Sequence, residues 1–218
     1  VSTTDWTKFV TQTGVTQQHT LSVSGGTEKM KAYGSFGYLD NTGTLKGQSF
    51  KRYNGIANVD ITPTKWFQMG ININASYGLN EYGLSNVGRS AVASSDGIYL
   101  TARQNLPYAV PLDADGNRIQ NPGGDSTIRN VYEEYKYSQD HRLTLRVFGS
   151  IYGQLDFGAF SNKLEGLKYR VNFGPDFTVT RNGRFTGAFT NSQRGGVATG
   201  SVEDRFNFNY TLENILTY

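Results

Sequence analysis

The sequence predicts an all-β protein, and more specifically a segment of an antiparallel transmembrane β-barrel with about seven strands. Three observations predict this class. Apolar and polar residues alternate in several segments, most clearly from Trp66 to Tyr77. The connections between these segments alternate between short and long. The composition is rich in glycine and aromatic residues. A period of two residues is typical of a strand with one apolar and one polar side.

The composition excludes several classes. Only 37% of the 218 residues are hydrophobic, mean hydropathy is -0.49, and no apolar stretch approaches the roughly 18 residues of a transmembrane helix. A barrel tolerates such values because half of each strand faces water. The 26 glycines, 14 tyrosines and 13 phenylalanines suit tight turns and membrane interfaces. A net charge of +3 without a basic run gives no indication of nucleic acid, and the lack of cysteine excludes disulfides and thiolate metal sites.

The first half of the chain predicts two hairpins. We expect strands over residues 17–24, 31–39, 53–61 and 66–77. Gly25 and Gly26 supply the first turn and Pro63 marks the turn at 62–65, while a polar excursion at 40–51 joins the hairpins.

The second half begins with a long connection. Residues 79–138 show no clear period and contain Pro107, Pro111 and Pro122. A connection of this length is uncommon within a compact soluble domain, whereas outer-membrane barrels carry long external loops. We therefore predict a long extracellular loop at 79–138. Strands follow at 142–157 and 168–179 around a short connection at 161–166, and after a polar stretch at 181–202 the last strand runs from Phe206 almost to the end.

Seven strands are too few, and odd in number, for a bacterial barrel that closes on itself. An open sheet would expose two unpaired edges in the membrane, where each unsatisfied backbone group costs several kcal/mol. The sequence therefore predicts one part of a larger barrel.

Several motifs resemble the barrel of the SusC/RagA family of TonB-linked outer-membrane transporters. They occur in the family's order along nearly the whole chain: Asp5-Trp6, residues 18–29 (QHTLSVSGGTEK), 33–39 (YGSFGYL), 166–174 (GLKYRVNFG) and 212–218 (LENILTY). Each piece alone is short, but together they are specific.

The resemblance implies location, function and partners. Members reside in the bacterial outer membrane, in contact with its lipid, and have an N-terminal plug, a TonB-contacting segment and a barrel of about 22 strands. They import glycans, peptides or other nutrients beneath a SusD-like surface lipoprotein, driven by TonB–ExbB–ExbD. We expect residues 1–218 to be barrel wall, and we assign no part of them to the plug or TonB-contacting segment. The turns at 25–29, 62–65 and 161–166 are expected in the periplasm.

Two sets of residues are candidates for a site. Arg142, Arg146, Lys168 and Arg170 fall on the polar faces of two adjacent predicted strands, which in a barrel line the lumen. The alternative is a solvated wall in which they pair with nearby carboxylates. Trp66 and Phe67 suit the periplasmic aromatic girdle, and a soluble core is the alternative for them.

Nothing in the sequence predicts an enzyme. His19 and His141 lie far apart with no triad spacing. The acidic stretch at 113–117 has its glycine at the wrong position for a calcium loop, so a turn is the simpler interpretation. We expect no catalytic, cofactor or metal site. The alternative function is a soluble or cell-surface β-sandwich that binds carbohydrate, with its apolar faces packed sheet on sheet.

Overall fold

The computed structural model describes residues 3–83, 97–191, 193 and 195–218. They form one sheet of seven antiparallel strands, each hydrogen-bonded to its neighbours in chain order. The strands are β1 (Val15–Gly26), β2 (Met30–Thr42), β3 (Gln48–Thr64), β4 (Phe67–Tyr82), β5 (Ser138–Asp156), β6 (Lys168–Thr186) and β7 (Thr199–Thr217). None of the helices in this described part is long and apolar enough to cross a membrane.

All seven predicted strands are present, and most are longer than the alternation indicated. β3 starts at Gln48, which pairs with Tyr82 at the end of β4. β6 continues to Thr186, which pairs with Ser138 and with Thr199. The backbone ladder needs no particular side chains, so pairing extends beyond the residues whose alternation is visible.

The register gathers the apolar residues on one face of the sheet. A single row across all strands contains Leu21, Phe36, Gly55, Ala75, Val147, Phe177 and Phe208. Leu21 is 76% exposed and Phe208 is 52% exposed. A carbohydrate-binding sandwich would cover this face with a second sheet, but the described residues form one sheet only.

The connections differ between the two ends of the sheet. At one end, here called the turn end, residues 27–29 and 65–66 make tight turns, and β5 returns to β6 through 3-10 turns at Phe157–Ala159 and Asn162–Leu164. At the opposite end, here called the loop end, the strands are joined by residues 43–47, 83–137 and 187–198. Of the predicted loops, residues 84–96, 192 and 194 lie outside the described residues.

The loop end has a small core of its own. Helix α1 (Thr7–Val10) packs against helix α2 (Gly97–Gln104) in the long connection. Trp6 and Val10 are buried with Ala102, Ala109 and Val131. The Trp6 indole Nε1 donates a hydrogen bond of 2.9 Å to the Leu106 carbonyl. The segment before β1 therefore anchors the long connection over this end of the sheet.

Candidate functional site

The polar face of the sheet holds all four cations named from the sequence. Alternation along β5 and β6 places Arg142, Arg146, Lys168 and Arg170 on the side opposite the apolar row. Arg146 binds Asp176 in bidentate fashion, with Nε to Oδ1 at 3.0 Å and Nη2 to Oδ2 at 2.6 Å. Lys168 Nζ lies 3.5 Å from Asp156 Oδ2. These cations are paired across the β5–β6 ladder, and the pairs are partly exposed.

Arg170 belongs to a group of side chains that spans four strands. Tyr152 on β5 donates its hydroxyl to Asp60 Oδ1 on β3 at 2.5 Å, reaching over Gly70 of β4. The Arg170 guanidinium lies 3.8 Å from the centroid of the Tyr152 ring, and its Nε donates to Asn172 Oδ1 at 2.7 Å. Gly70 permits this because a Cβ there would collide with both the tyrosine ring and the Asp60 carboxylate.

Arg142 lies nearer the loop end and has polar neighbours on both sides. Its Nε donates to Asn182 Oδ1 at 2.9 Å, and its guanidinium lies 5.4 Å from the Tyr82 ring centroid. The Asn182 amide in turn donates to Glu203 on β7 at 3.4 Å. The four cations thus lie on one face but do not converge on a single point.

Amide side chains continue the polar face and were not singled out from the sequence. Asn72 donates to Asn58 at 2.7 Å and Asn74 donates to Asn72 at 2.9 Å, while Asn172 donates to Glu213 at 3.0 Å. Each asparagine was visible as the polar member of an alternating pair, but only the register shows which ones meet. The polar face therefore presents hydrogen-bond donors and acceptors, and both positive and negative charges, along its length.

The aromatic residues named from the sequence lie at the turn end. The Trp66 and Phe67 rings are 5.8 Å apart, and the Trp66 and Phe160 rings are 5.6 Å apart. Trp66 is 40% exposed. Their place in a periplasmic girdle stays a prediction.

A second aromatic row lies toward the loop end and was missed from the sequence. His19, Tyr38, Tyr53 and Tyr77 occupy successive strands of one row, with ring centroids 6.5, 5.0 and 6.3 Å apart. The signal was a tyrosine on the apolar side of each of three predicted strands, but the alignment of these tyrosines depends on the register. Rings at both ends of an apolar face are typical of a membrane-spanning sheet.

The loop end also contains a buried ion pair. Glu134, which is 5% exposed, is paired with Arg118 and accepts a hydrogen bond of 2.7 Å from the Asn191 backbone N–H. Arg118 also donates to the carbonyls of Asn130 and Phe189. Burial raises the pKa of the Glu134 carboxyl above its ordinary value, and Arg118 opposes this rise without cancelling it.

The acidic stretch at 113–117 forms a turn. The Asp113 carboxylate accepts hydrogen bonds from the backbone N–H groups of Asp115 at 3.0 Å and Asn117 at 2.8 Å, and Gly116 has a positive φ of 83°. Among the described residues, no group of three or more His, Cys, Asp or Glu side chains could hold a metal ion.

Known proteins resemble the chain in both sequence and fold. No protein-family model matches it. It is 28% identical over 217 residues to TonB-dependent receptor P3 of Formosa agariphila, covering 99% of this chain and 21% of that protein. It is 33% identical over 183 residues to TonB-dependent receptor SusC of Bacteroides thetaiotaomicron, covering 81% of this chain and 17% of SusC. The chain therefore spans about a fifth of the length of these relatives.

Two solved structures share the fold. The RagAB peptide transporter superposes with a TM-score of 0.70 at 20% identity, covering 99% of this chain and 23% of that one. The RagAB peptide importer in its closed-closed state gives 0.64 at 19% identity, covering 97% and 23%. These relatives are receptors and transporters and not enzymes, as expected from the sequence. The predicted family and outer-membrane location are confirmed: the chain belongs to the SusC/RagA family of TonB-dependent outer-membrane transporters, as a segment of the β-barrel.

Proposed function

We propose that this segment forms part of the barrel wall of an outer-membrane importer for glycans, peptides or similar nutrients. One observation carries the proposal: an uninterrupted seven-stranded sheet exposes its apolar face and crosslinks its polar face with hydrogen bonds and ion pairs. A membrane barrel needs these two faces, one for lipid and one for an aqueous lumen. β1 and β7 each have one neighbour in this sheet, so further strands of the same barrel would pair with their free edges.

The polar face would line the lumen in this arrangement. Arg142, Arg146, Lys168 and Arg170 would then project inward, as the sequence predicts. Because Arg146 and Lys168 are paired with carboxylates on the same wall, they would hold the wall together more than attract an anionic nutrient. This role corresponds to the alternative interpretation of these residues, in which they pair with nearby carboxylates in a solvated wall.

The loop end would face the cell exterior and the turn end the periplasm. The extracellular loop predicted at 79–138 would then be the connection at 83–137, because residues 79–82 and Ser138 belong to β4 and β5. Exposed apolar side chains occur in the loop-end connections, including Tyr108 at 61% and Phe189 at 74%. They offer contact area for a SusD-like lipoprotein closing over the transporter. Trp66 and Phe67 would lie in the periplasmic girdle, and TonB–ExbB–ExbD would act through parts of the transporter other than this wall.

Growth experiments with the full-length transporter would test the proposed import. A strain without it should lose growth on one class of oligomeric nutrient, glycan or peptide, while growth on the corresponding monomers stays normal. Restoring the intact transporter should restore growth only when TonB is present. Undiminished growth of the deletion strain on every nutrient class would contradict the proposal.

The partnership needs a separate experiment. The full-length transporter, purified in mild detergent, should retain a lipid-anchored protein of defined stoichiometry. Phe189→Asp places a charge in the exposed surface and should weaken that complex. Glu28→Lys, at the turn end, is the matched control because it changes the charge of an exposed residue on the opposite side. Equal retention of the lipid-anchored protein by both variants would show that the loop end does not form the interface.

A further inference from the structure

A groove interrupts the apolar face near the turn end. Its volume is about 500 Å³, and its walls include Val59, Ile61, Ile151 and Phe173. It forms around Gly153, which lies between Met69 of β4 and Val171 of β6 in the same row. Because the glycine has no side chain, the side chains of the neighbouring rows project beyond it and form the walls of the groove.

The chemistry of the walls restricts the occupant. The residues named above are aliphatic or aromatic, and their side chains remain accessible, since Met69 is 42% and Ile151 is 48% exposed. A polar group placed there would lose hydrogen bonds to water without replacement. The volume falls within the range of about 300–1,000 Å³ typical of ligand clefts. The lining therefore favours a hydrocarbon as the occupant.

The location of the groove indicates which hydrocarbon this is. It opens on the lipid-facing surface of the barrel, with which it is continuous, and Phe67 in its wall belongs to the aromatic group with Trp66. Aromatic rings of this kind lie at the level of lipid headgroups. We propose that the groove binds an acyl chain of a membrane phospholipid from the leaflet at the turn end, with the headgroup near Trp66. The inference depends on the membrane-barrel fold and is independent of the imported nutrient.

Photo-crosslinking of the unaltered protein tests the proposal directly. The full-length transporter would be reconstituted with phosphatidylethanolamine carrying a diazirine in its acyl chain and mapped by mass spectrometry. We expect crosslinks to concentrate on Met69 and Ile151. Phe36, which is 54% exposed on the same face and lies on the inner strand β2 outside the groove, is the internal comparison. Crosslinking in proportion to exposure would mean ordinary boundary lipid only and would overturn the proposal, as would an absence of crosslinks on Met69 and Ile151.

A pair of glycine variants gives the second test. A Cβ at position 153 would make an ordinary contact of 3.7 Å with Phe67, so Gly153→Leu can fill the groove without a backbone clash. The matched control is Gly55→Leu, since Gly55 lies on the same face outside the groove and has its nearest neighbour, the Ser35 carbonyl oxygen, at 3.9 Å. Native mass spectrometry with added phosphatidylethanolamine should show loss of one tightly bound lipid in the first variant only.

Folding is monitored by heat-dependent mobility in gels. If Gly153→Leu does not fold, Gly153→Ala narrows the groove by one methyl group and should show reduced lipid retention. Unchanged lipid retention in a folded position-153 variant, or equal loss in the Gly55→Leu control, would overturn the proposal.

Discussion

Gly70 shows how one missing side chain organises the polar face. Tyr152 reaches across β4 to Asp60 because nothing stands on the intervening residue. The phenol then supports the guanidinium of Arg170, at 3.8 Å from its ring centroid, an arrangement that favours a cation. Asp60, Tyr152 and Arg170 therefore come into one group through a position that carries no functional atom.

We predict that Gly70→Ala destabilises the full-length barrel by about 1–3 kcal/mol, because the new methyl group displaces the Tyr152 ring or the Asp60 carboxylate. The free energy of unfolding in urea, measured in lipid vesicles, would show this. Gly78→Ala is the control in the same strand and on the same face. Its Cβ would meet Phe50 at an ordinary 3.6 Å, so the change should stay within about 0.5 kcal/mol. Equal effects would contradict the role of Gly70.

Glu134 predicts a pH dependence at the loop end. Burial raises the pKa of this carboxyl in the folded state above its ordinary value. A raised pKa means that the folded state binds the proton more tightly than the unfolded state does. The contribution of Glu134 to the stability of the folded state is therefore fully present below the pKa that this carboxyl has in the unfolded chain. It is lost as the pH rises through the pKa of the folded state.

We expect hydrogen exchange around Val131, corrected for intrinsic rates, to become faster as the pH rises from about 4 to about 7. Glu134→Gln should remove this slope. Glu133→Gln should keep it, because the neighbouring Glu133 side chain is 34% exposed against 6% for Glu134. A slope that survives Glu134→Gln would assign the pH dependence to other groups.

At the scale of elements, the short helix α1 has a larger effect than its four residues suggest. Trp6 precedes it and is 2% exposed, and its indole is bonded to the Leu106 carbonyl. The Thr4 backbone N–H donates to the Pro107 carbonyl at 2.7 Å. The chain before β1 and the connection between β4 and β5 are therefore one packed unit, formed by residues about 100 positions apart.

We predict that Trp6→Ala loosens this unit and leaves the sheet intact. Removing a buried tryptophan costs about 3–5 kcal/mol, here at the expense of the loop-end core. Amide exchange at Ala102 and Val131 should accelerate, while protection in β3 and β4 stays unchanged. Tyr108→Ala lies in the same connection, but Tyr108 is 61% exposed. This variant should change neither the exchange at Ala102 and Val131 nor the protection of β3 and β4. Loss of protection throughout the sheet would show that the unit and the barrel fold together.

At the scale of the whole molecule, the two ends of the sheet differ in the length of their connections, and this difference predicts the orientation in the membrane. Long loops lie outside and short turns lie in the periplasm in outer-membrane barrels. The 218 residues contain no cysteine, so cysteines introduced into them can report which end faces the medium.

We predict that Asp115→Cys in the full-length transporter reacts with a membrane-impermeant maleimide on intact cells, whereas Glu28→Cys reacts only after the outer membrane is permeabilised. Both positions are exposed, and Asp115 contributes only its backbone N–H to the Asp113 turn. The permeabilised sample controls for reactivity. Labelling in the reverse order would invert the proposed orientation, and labelling of both in intact cells would contradict a sheet that spans the membrane.

The sequence by itself determined the strands and their faces. Alternation in a strand has a period of two residues, so each predicted strand already assigned its residues to an apolar or a polar side. This is why Arg142, Arg146, Lys168 and Arg170 could be placed on one face before their neighbours were known. The family resemblance was visible in the sequence because its motifs, apart from Asp5-Trp6, lie mostly within those same strands.

Only the tertiary structure decided which side chains meet. Pairing between strands depends on register, and a shift changes every cross-strand contact at once. The Asp60, Tyr152 and Arg170 group, the tyrosine row and the groove at Gly153 all arise from that alignment. The packed unit at the loop end depends on contacts between residues distant in the chain, among them Trp6 and Leu106. Such contacts leave no local period in the sequence, because their partners are brought together by the completed sheet.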